Sequence, residues 1–257
     1  MRLKNPDGSE APEILAVDGK THRRTHSGDK PALHVVNVWA SHNRLVLGQL
    51  AVDSKSNEIT AVPELLKDLM IKGCIVTTDA LNCQKDVAGV IVSQGADYAL
   101  AIKGNHQKAF EKIKLFMDDL ALLPTTKPLE HVEKEHGRLE TRRYWQSDDI
   151  DWFTDKDLWP GLRSFAMVER VAEKPDGQIQ TERRYYISSL PTCPELIAGA
   201  IRGHWGVENQ VHWCLDVVFN EDQSRARSRN AAKKILDCCA ILPLTYCGKT
   251  LRKKACT

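Results

Sequence analysis

Two hydrophobic rhythms alternate along this chain. Continuous apolar runs at Ile14–Val17, Leu33–Ala40 (LHVVNVWA) and Leu45–Val52 (LVLGQLAV) predict three strands, the last two joined through Ser41-His42-Asn43-Arg44, a turn-rich tetrapeptide. Short links of this kind imply an antiparallel meander. Apolar positions then recur at Ile59, Val62, Leu65, Leu66, Leu69 and Met70, the 3.6-residue period of a helix over Glu58–Met70 that Gly73 ends. A buried strand at Cys74–Thr78, a helix at Gln84–Ser93, a strand at Tyr98–Ile102 and an amphipathic helix at His106–Leu120 follow.

The order β-β-β-α-β-α-β implies an α/β fold with a mixed sheet, parallel in its second half, whose first strand can lie beside the fourth. That is the ribonuclease H-like layout with flanking helices. From Thr125 to Leu190 charged and apolar residues alternate, and Pro175-Asp176-Gly177 is a strong hairpin turn, so this stretch reads as a β-rich insertion. Pro191-Thr192-Cys193-Pro194 offers a helix start. Ile201 to Asp222 reads as one helix running into an acid-tipped loop. The expected organisation is a first part of the core over residues 1–124, the insertion over 125–190, the last helix and end of the core over 191–235, and an atypical basic tail over 236–257.

Composition adds boundaries rather than a function. With 257 residues and 42% hydrophobic content, the chain can bury one large core. A net charge of +2 announces no nucleic-acid partner, but local basic clusters at His22–Arg24, Arg138–Arg143 and Arg225–Lys234 can bind phosphate. No apolar run approaches the roughly 20 residues that span a bilayer, and the N-terminus is too polar for a secretory signal, so a cytoplasmic protein is expected. The eight cysteines include no CxxC pair, which argues for free thiols over a zinc ribbon.

Candidate chemistry sits where apolar runs stop. Asp18 closes ILAVDGK and Asp79 closes CIVTTDAL; on neighbouring strands about 4.8 Å apart, they would meet at one end of the sheet. Glu208 lies among large apolar residues, with His204 and His212 one helical turn to either side. Three carboxylates so arranged suit two Mg²⁺ or Mn²⁺ ions roughly 3.5–4 Å apart, and hard oxygen ligands favour these over zinc. Each acid also has a plainer reading: a turn at Asp18-Gly19, a helix cap at Asp79, a core partner for histidine at Glu208. Asp216 and the Glu221-Asp222 loop end are rivals of Glu208, or groups that with His204 orient a ligand from behind. Trp205 and Trp213 pack in the core or stack on a base. Lys20, Arg23 and Arg24 follow the first acid and Lys103 ends a strand, positions fit for a DNA backbone or for plain surface charge.

Four ordered motifs carry a resemblance. AVDGK at Ala16–Lys20, TTDAL at Thr77–Leu81, ALAIKGN at Ala99–Asn105 and HWGVENQVHWCLDVVFNED at His204–Asp222 resemble the DDE transposases of the ISAs1 branch, which includes the H-repeat-associated proteins and is related to the IS4-type elements. The likeness runs from Asp18 to about Ala232. It implies metal-dependent cleavage at the ends of an insertion element followed by strand transfer, with Asp18, Asp79 and Glu208 as the catalytic and metal-holding triad. It also implies double-stranded DNA as partner, contacted by Lys20, Arg23, Arg24, Lys103, Asn105 and His204, paired subunits on paired ends, and a bacterial protein at the nucleoid when bound. The wider IS4-type helix carries Tyr, Arg, Glu and Lys; here Ile201, His204, Glu208 and Leu215 stand at those positions. A nuclease of the same fold that cuts without joining, and a DNA-binding relic without catalysis, are the competing readings.

Relatives of this type carry a segment ahead of the first acid, whereas 17 residues precede Asp18, so a truncated copy is expected. The tail from Leu236 does not resemble the family and holds four of the eight cysteines. A frameshift shortly before Leu236 is the expected origin of this tail. Reading the underlying nucleotides in the other frames is expected to yield an amphipathic, family-like helix there; three frames without one would end that explanation.

Overall fold

A computed structural model describes residues 12–22, 32–52, 57–123, 125–135, 138–174 and 176–207. Their strands form one nine-stranded sheet. In chain order the elements are β1 (Ile14–His22), β2 (Leu33–Ala40), β3 (Leu45–Val52), α1 (Glu58–Lys67), β4 (Ile75–Thr78), α2 (Lys85–Ser93), β5 (Asp97–Ile102), α3 (Gln107–Leu122), β6 (Leu129–Glu135), β7 (Arg138–Ser147), β8 (Ser164–Glu173), β9 (Ile179–Ser188) and α4 (Pro194–Gly206). The strands lie in the order β3-β2-β1-β4-β5-β9-β8-β7-β6. The pairs β1–β4 and β4–β5 are parallel, and β1–β2 and β2–β3 are antiparallel, the mixed ribonuclease H-like arrangement. The four strands after α3 extend this same sheet, because β9 pairs antiparallel with β5.

The central strands read as unbroken apolar runs because both sheet faces are covered. On one face Leu15, Val17 and Val76 meet Val62 and Leu66 of α1, Ile91 of α2 and Ile113 of α3. On the other, Ile75, Ala99 and Ala166 meet Ile197, Ala198 and Ile201 of α4. Small residues let α4 lie close. A Cβ on Gly203 would sit 2.8 Å from Cγ2 of Ile14, and the Gly203 carbonyl accepts a hydrogen bond from Ser41 Oγ at 2.9 Å. Pro194 opens α4 at its first turn, where the missing N–H costs nothing.

Most boundaries shift by one or two residues from the reading of the sequence, and two shift further. β1 does not stop at Val17 but continues through Asp18-Gly19 to His22, paired with β2 throughout. Beyond Val17 it has lost β4 as a neighbour, so the apolar run ends although the strand goes on. α1 ends at Lys67 rather than Met70, whose side chain is exposed. The turn between β8 and β9 forms as expected, with Gly177 at φ 80° and the Gly177 N–H donating to the Lys174 carbonyl. Cys74, Cys83 and Cys193 are free thiols, and burial, followed by the nearby Asp79 charge, pushes the Cys83 thiol far up. No helix among the described residues is long and apolar enough to cross a membrane.

Charge pairs fasten the outer strands. Glu169 bridges Arg143 at 3.3 Å and Arg183 at 2.7 Å, and Arg183 also reaches Asp118 of α3 at 2.9 Å. Asp118 accepts a further hydrogen bond from Tyr185 Oη at 2.7 Å. Burial alone would raise the Asp118 carboxyl, but hydrogen bonds from Lys114, Tyr185 and Arg183 outweigh it and hold the group below the usual range. A carboxyl depressed by folding adds stability above its unfolded pKa of about 3.9, lost as pH falls through the folded value. Asp118→Asn is therefore expected to cost about 1–2 kcal/mol near pH 7, with the gap closing as pH falls through the folded pKa of Asp118, as urea unfolding across pH will measure.

Candidate active site

The parallel ladder between β1 and β4 pairs Ile14 with Ile75, Leu15 with Val76, Ala16 with Thr77 and Val17 with Thr78. The next residue on each strand is an acid, Asp18 and Asp79. β4 leaves the sheet at Thr78, while β1 continues against β2 with Asp18 opposite Asn37. Two carboxylates thus occupy neighbouring positions where the parallel ladder ends, and both residues are half-buried. Asp18 is accordingly within its strand rather than at its end; only the ladder to β4 stops there.

The segment after Asp79 is pinned from several sides. Asp79 Oδ1 accepts hydrogen bonds from the backbone N–H and from Nδ2 of Asn82, both at 3.1 Å. Asn105 donates through Nδ2 to the Ala80 carbonyl, and His106 donates through Nε2 to the Cys83 carbonyl at 2.7 Å. His106 in turn lies edge-on to Trp159. Asn82 Nδ2 also donates to Glu58 Oε2 at 2.9 Å. The other oxygen of Glu58 pairs with Nε2 of His34, whose Nδ1 lies 2.7 Å from Thr21 Oγ1. Glu58, His34 and Asn82 are all at most 2% exposed. Reading the sequence missed this chain of polar groups. Its signal was present: Glu58 shares a helical face with Val62, Leu65 and Leu66, and His34 interrupts an apolar strand.

On the other face, His204 of α4 places Nδ1 3.1 Å from Thr77 Oγ1, two positions before Asp79 and four before Glu208. Val207 keeps helical dihedral angles (φ −66°, ψ −43°). Glu208, Asp216 and Asp222 lie outside the described residues, as do Arg23, Arg24, His212 and Trp213. Lys20 is buried, at 7% exposure, on the same strand face as Asp18, whereas Lys103 and Asn105 are exposed just after β5. Trp205 is half-buried, with two guanidinium groups over its ring, Arg142 at 4.9 Å and Arg184 at 5.0 Å. Neither core packing nor a free stacking surface describes it; cation–π contact does. Among the described residues no group of three or more His, Cys, Asp and Glu side chains gathers as a metal cluster. The two acids beside β4 are hard oxygen donors of the kind that hold Mg²⁺ or Mn²⁺.

Residues 9–242 match the family described as "Transposase DDE domain". The chain belongs to this family. It is 42% identical over 242 residues to the H repeat-associated putative transposase YhhI of Escherichia coli (strain K12), a match covering 90% of this chain and 63% of that protein. It is 45% identical over 188 residues to an uncharacterized protein in the dhlA 3′ region of Xanthobacter autotrophicus, covering 73% of this chain and 63% of that one. The DDE-family chain thus spans 63% of the length of these relatives. A piggyBac transposase synaptic complex with hairpin DNA is a remote structural neighbour, at 11% identity and a TM-score of 0.40, covering 79% of this chain and 40% of that one.

Gly19, directly after Asp18, is where the buried polar chain presses on β1. A Cβ there would clash with Glu58 Oε1 and fall 2.6 Å from His34 Nε2, both on buried, hydrogen-bonded side chains. Gly19→Ala is expected to destabilise the fold by about 2–3 kcal/mol, the scale of an overpacked core, seen as a lower thermal midpoint. An unchanged midpoint would show that Glu58 can move aside.

Proposed function

We propose that the chain carries the catalytic domain of a DNA transposase, which cuts phosphodiester bonds at insertion-element ends and transfers the strands to a target. Asp18, Asp79 and Glu208 are the carboxylates of the site, and two Mg²⁺ or Mn²⁺ ions are its cofactors. The observation that carries the reading is the pair of acids at the first positions beyond the β1–β4 ladder, in a chain whose family is the DDE transposases.

Bound between such carboxylates, divalent ions supply Lewis acidity at the phosphate and lower the pKa of an attacking water or 3′-hydroxyl. The protein's part is to keep its ligands in place. Asn82 holds one oxygen of Asp79, and the pairing of β1 with β4 up to Val17 and with β2 at Asp18 itself fixes the register that places Asp18. Thr77 fixes the ring of His204, so that the helical turn leading to Glu208 starts from an anchored position. Lys103 and Asn105, exposed next to this segment, are suited to the DNA backbone together with Arg23 and Arg24. Lys20 contributes its charge from a buried position, as a neighbour of Asp18 more than as a surface contact. His204, Asp216 and Asp222 support the ligands. Double-stranded DNA is the partner, two subunits act on paired ends, and the bacterial cytoplasm, at the nucleoid, is the place of action.

The purified chain is expected to cleave element-end DNA only with Mg²⁺ or Mn²⁺ and to join precut ends to target DNA, and Asp79→Asn is expected to lower both rates at least a hundredfold. Cleavage without joining would make the protein a nuclease. DNA binding with no cleavage, unaltered by the substitution, would make it a binding relic, and full activity in Asp79→Asn would remove the carboxylate chemistry altogether.

A further inference from the structure

We infer that Glu58 is a positioning residue for the metal-holding end of β4, acting through Asn82 on Asp79; this rests on the transposase reading above. A carboxylate 1% exposed is costly unless its oxygens are hydrogen-bonded. Glu58 meets that demand with His34 on one oxygen and Asn82 Nδ2 on the other. The same Nδ2 donates to Asp79 Oδ1. Ionised carboxylates only accept, so the amide of Asn82 has one workable orientation: turned over, its oxygen would face two acids. Glu58 thereby sets the orientation of Asn82, and Asn82 sets the rotamer of Asp79. The link also reaches the other acid's strand, since Glu58 Oε1 lies where a side chain on Gly19, next to Asp18, would have to go. One buried side chain on α1 thus touches both segments that bear the acids, from the face opposite α4.

Groups that orient metal ligands typically change metal affinity 10- to 100-fold when removed. A pin that merely stabilises the fold changes the melting temperature instead. The full chain is titrated with Mn²⁺ alone by calorimetry, well below its melting temperature, as wild type, D79N, E58A, E58Q, N82A and E58A/N82A, with V62A as a core-destabilised control. E58A and N82A are each expected to weaken Mn²⁺ binding about tenfold. E58Q, which still offers an oxygen to Asn82, is expected to recover most of the affinity, and V62A to bind as wild type does. On Asp79 the two side chains act in series, so the double variant is expected to lose clearly less than the product of the two single losses, any loss beyond that of N82A reporting the contact of Glu58 at Gly19. Wild-type affinity in E58A, or a loss in the double variant equal to the product of the two single losses, would overturn the inference. N82A decides alone should E58A not fold, unchanged affinity there being equally fatal. Identical Mn²⁺ binding by wild type and D79N would instead remove the metal reading itself and this inference with it.

Discussion

Four paired positions between β1 and β4 set the conditions for everything around the candidate site. Parallel neighbours need a crossover, and the chain supplies it as β2, β3 and α1, which places an antiparallel pair on one side of β1 and a parallel one on the other. With partners on both edges and helices on both faces, β1 has no freedom to slide. A one-residue slip would exchange its faces, bringing Asp18 and Lys20 to the apolar layer under α1. Register, rather than any single contact, makes two acids far apart in sequence into neighbours.

The two faces of the sheet divide the labour. Beneath α4 the contact is close and small-residue, with Gly203 on Ile14 and the His204 ring on Thr77. Beneath α1 a polar chain from Thr21 through His34, Glu58 and Asn82 to Asp79 interrupts an otherwise apolar layer. Such a chain is stable only when nearly complete, because each buried polar group left without a partner costs about 1–3 kcal/mol. Gly19 is the small residue that this crowding demands.

Much of the fold was legible because burial on both faces writes itself as continuous apolar runs, as in LHVVNVWA and CIVTT. The alternation of elements allowed β1 to lie beside β4 but did not give the order of the later strands, which join the sheet through β9, and Asp18 and Asp79 stood out as the residues at which those runs stop. Other features left a fainter trace. Glu58 occupies the first turn of its helix, where an acid normally complements the helix dipole in solvent, and only its alignment with Val62 and Leu65 hinted at burial. The continuation of β1 past Val17 was hidden by the loss of β4 as a neighbour. Trp205 depends on Arg142 and Arg184, which arrive from β7 and β9, so no local pattern could have announced its surroundings.

The outermost strand of the long arm has a consequence for self-association. Among the described residues β6 has no strand beyond it, and its exposed Glu130 and Lys134, on either side of Val132, oppose in-register docking by a strand from another molecule. Growth of the sheet from copy to copy is thereby blocked at that margin.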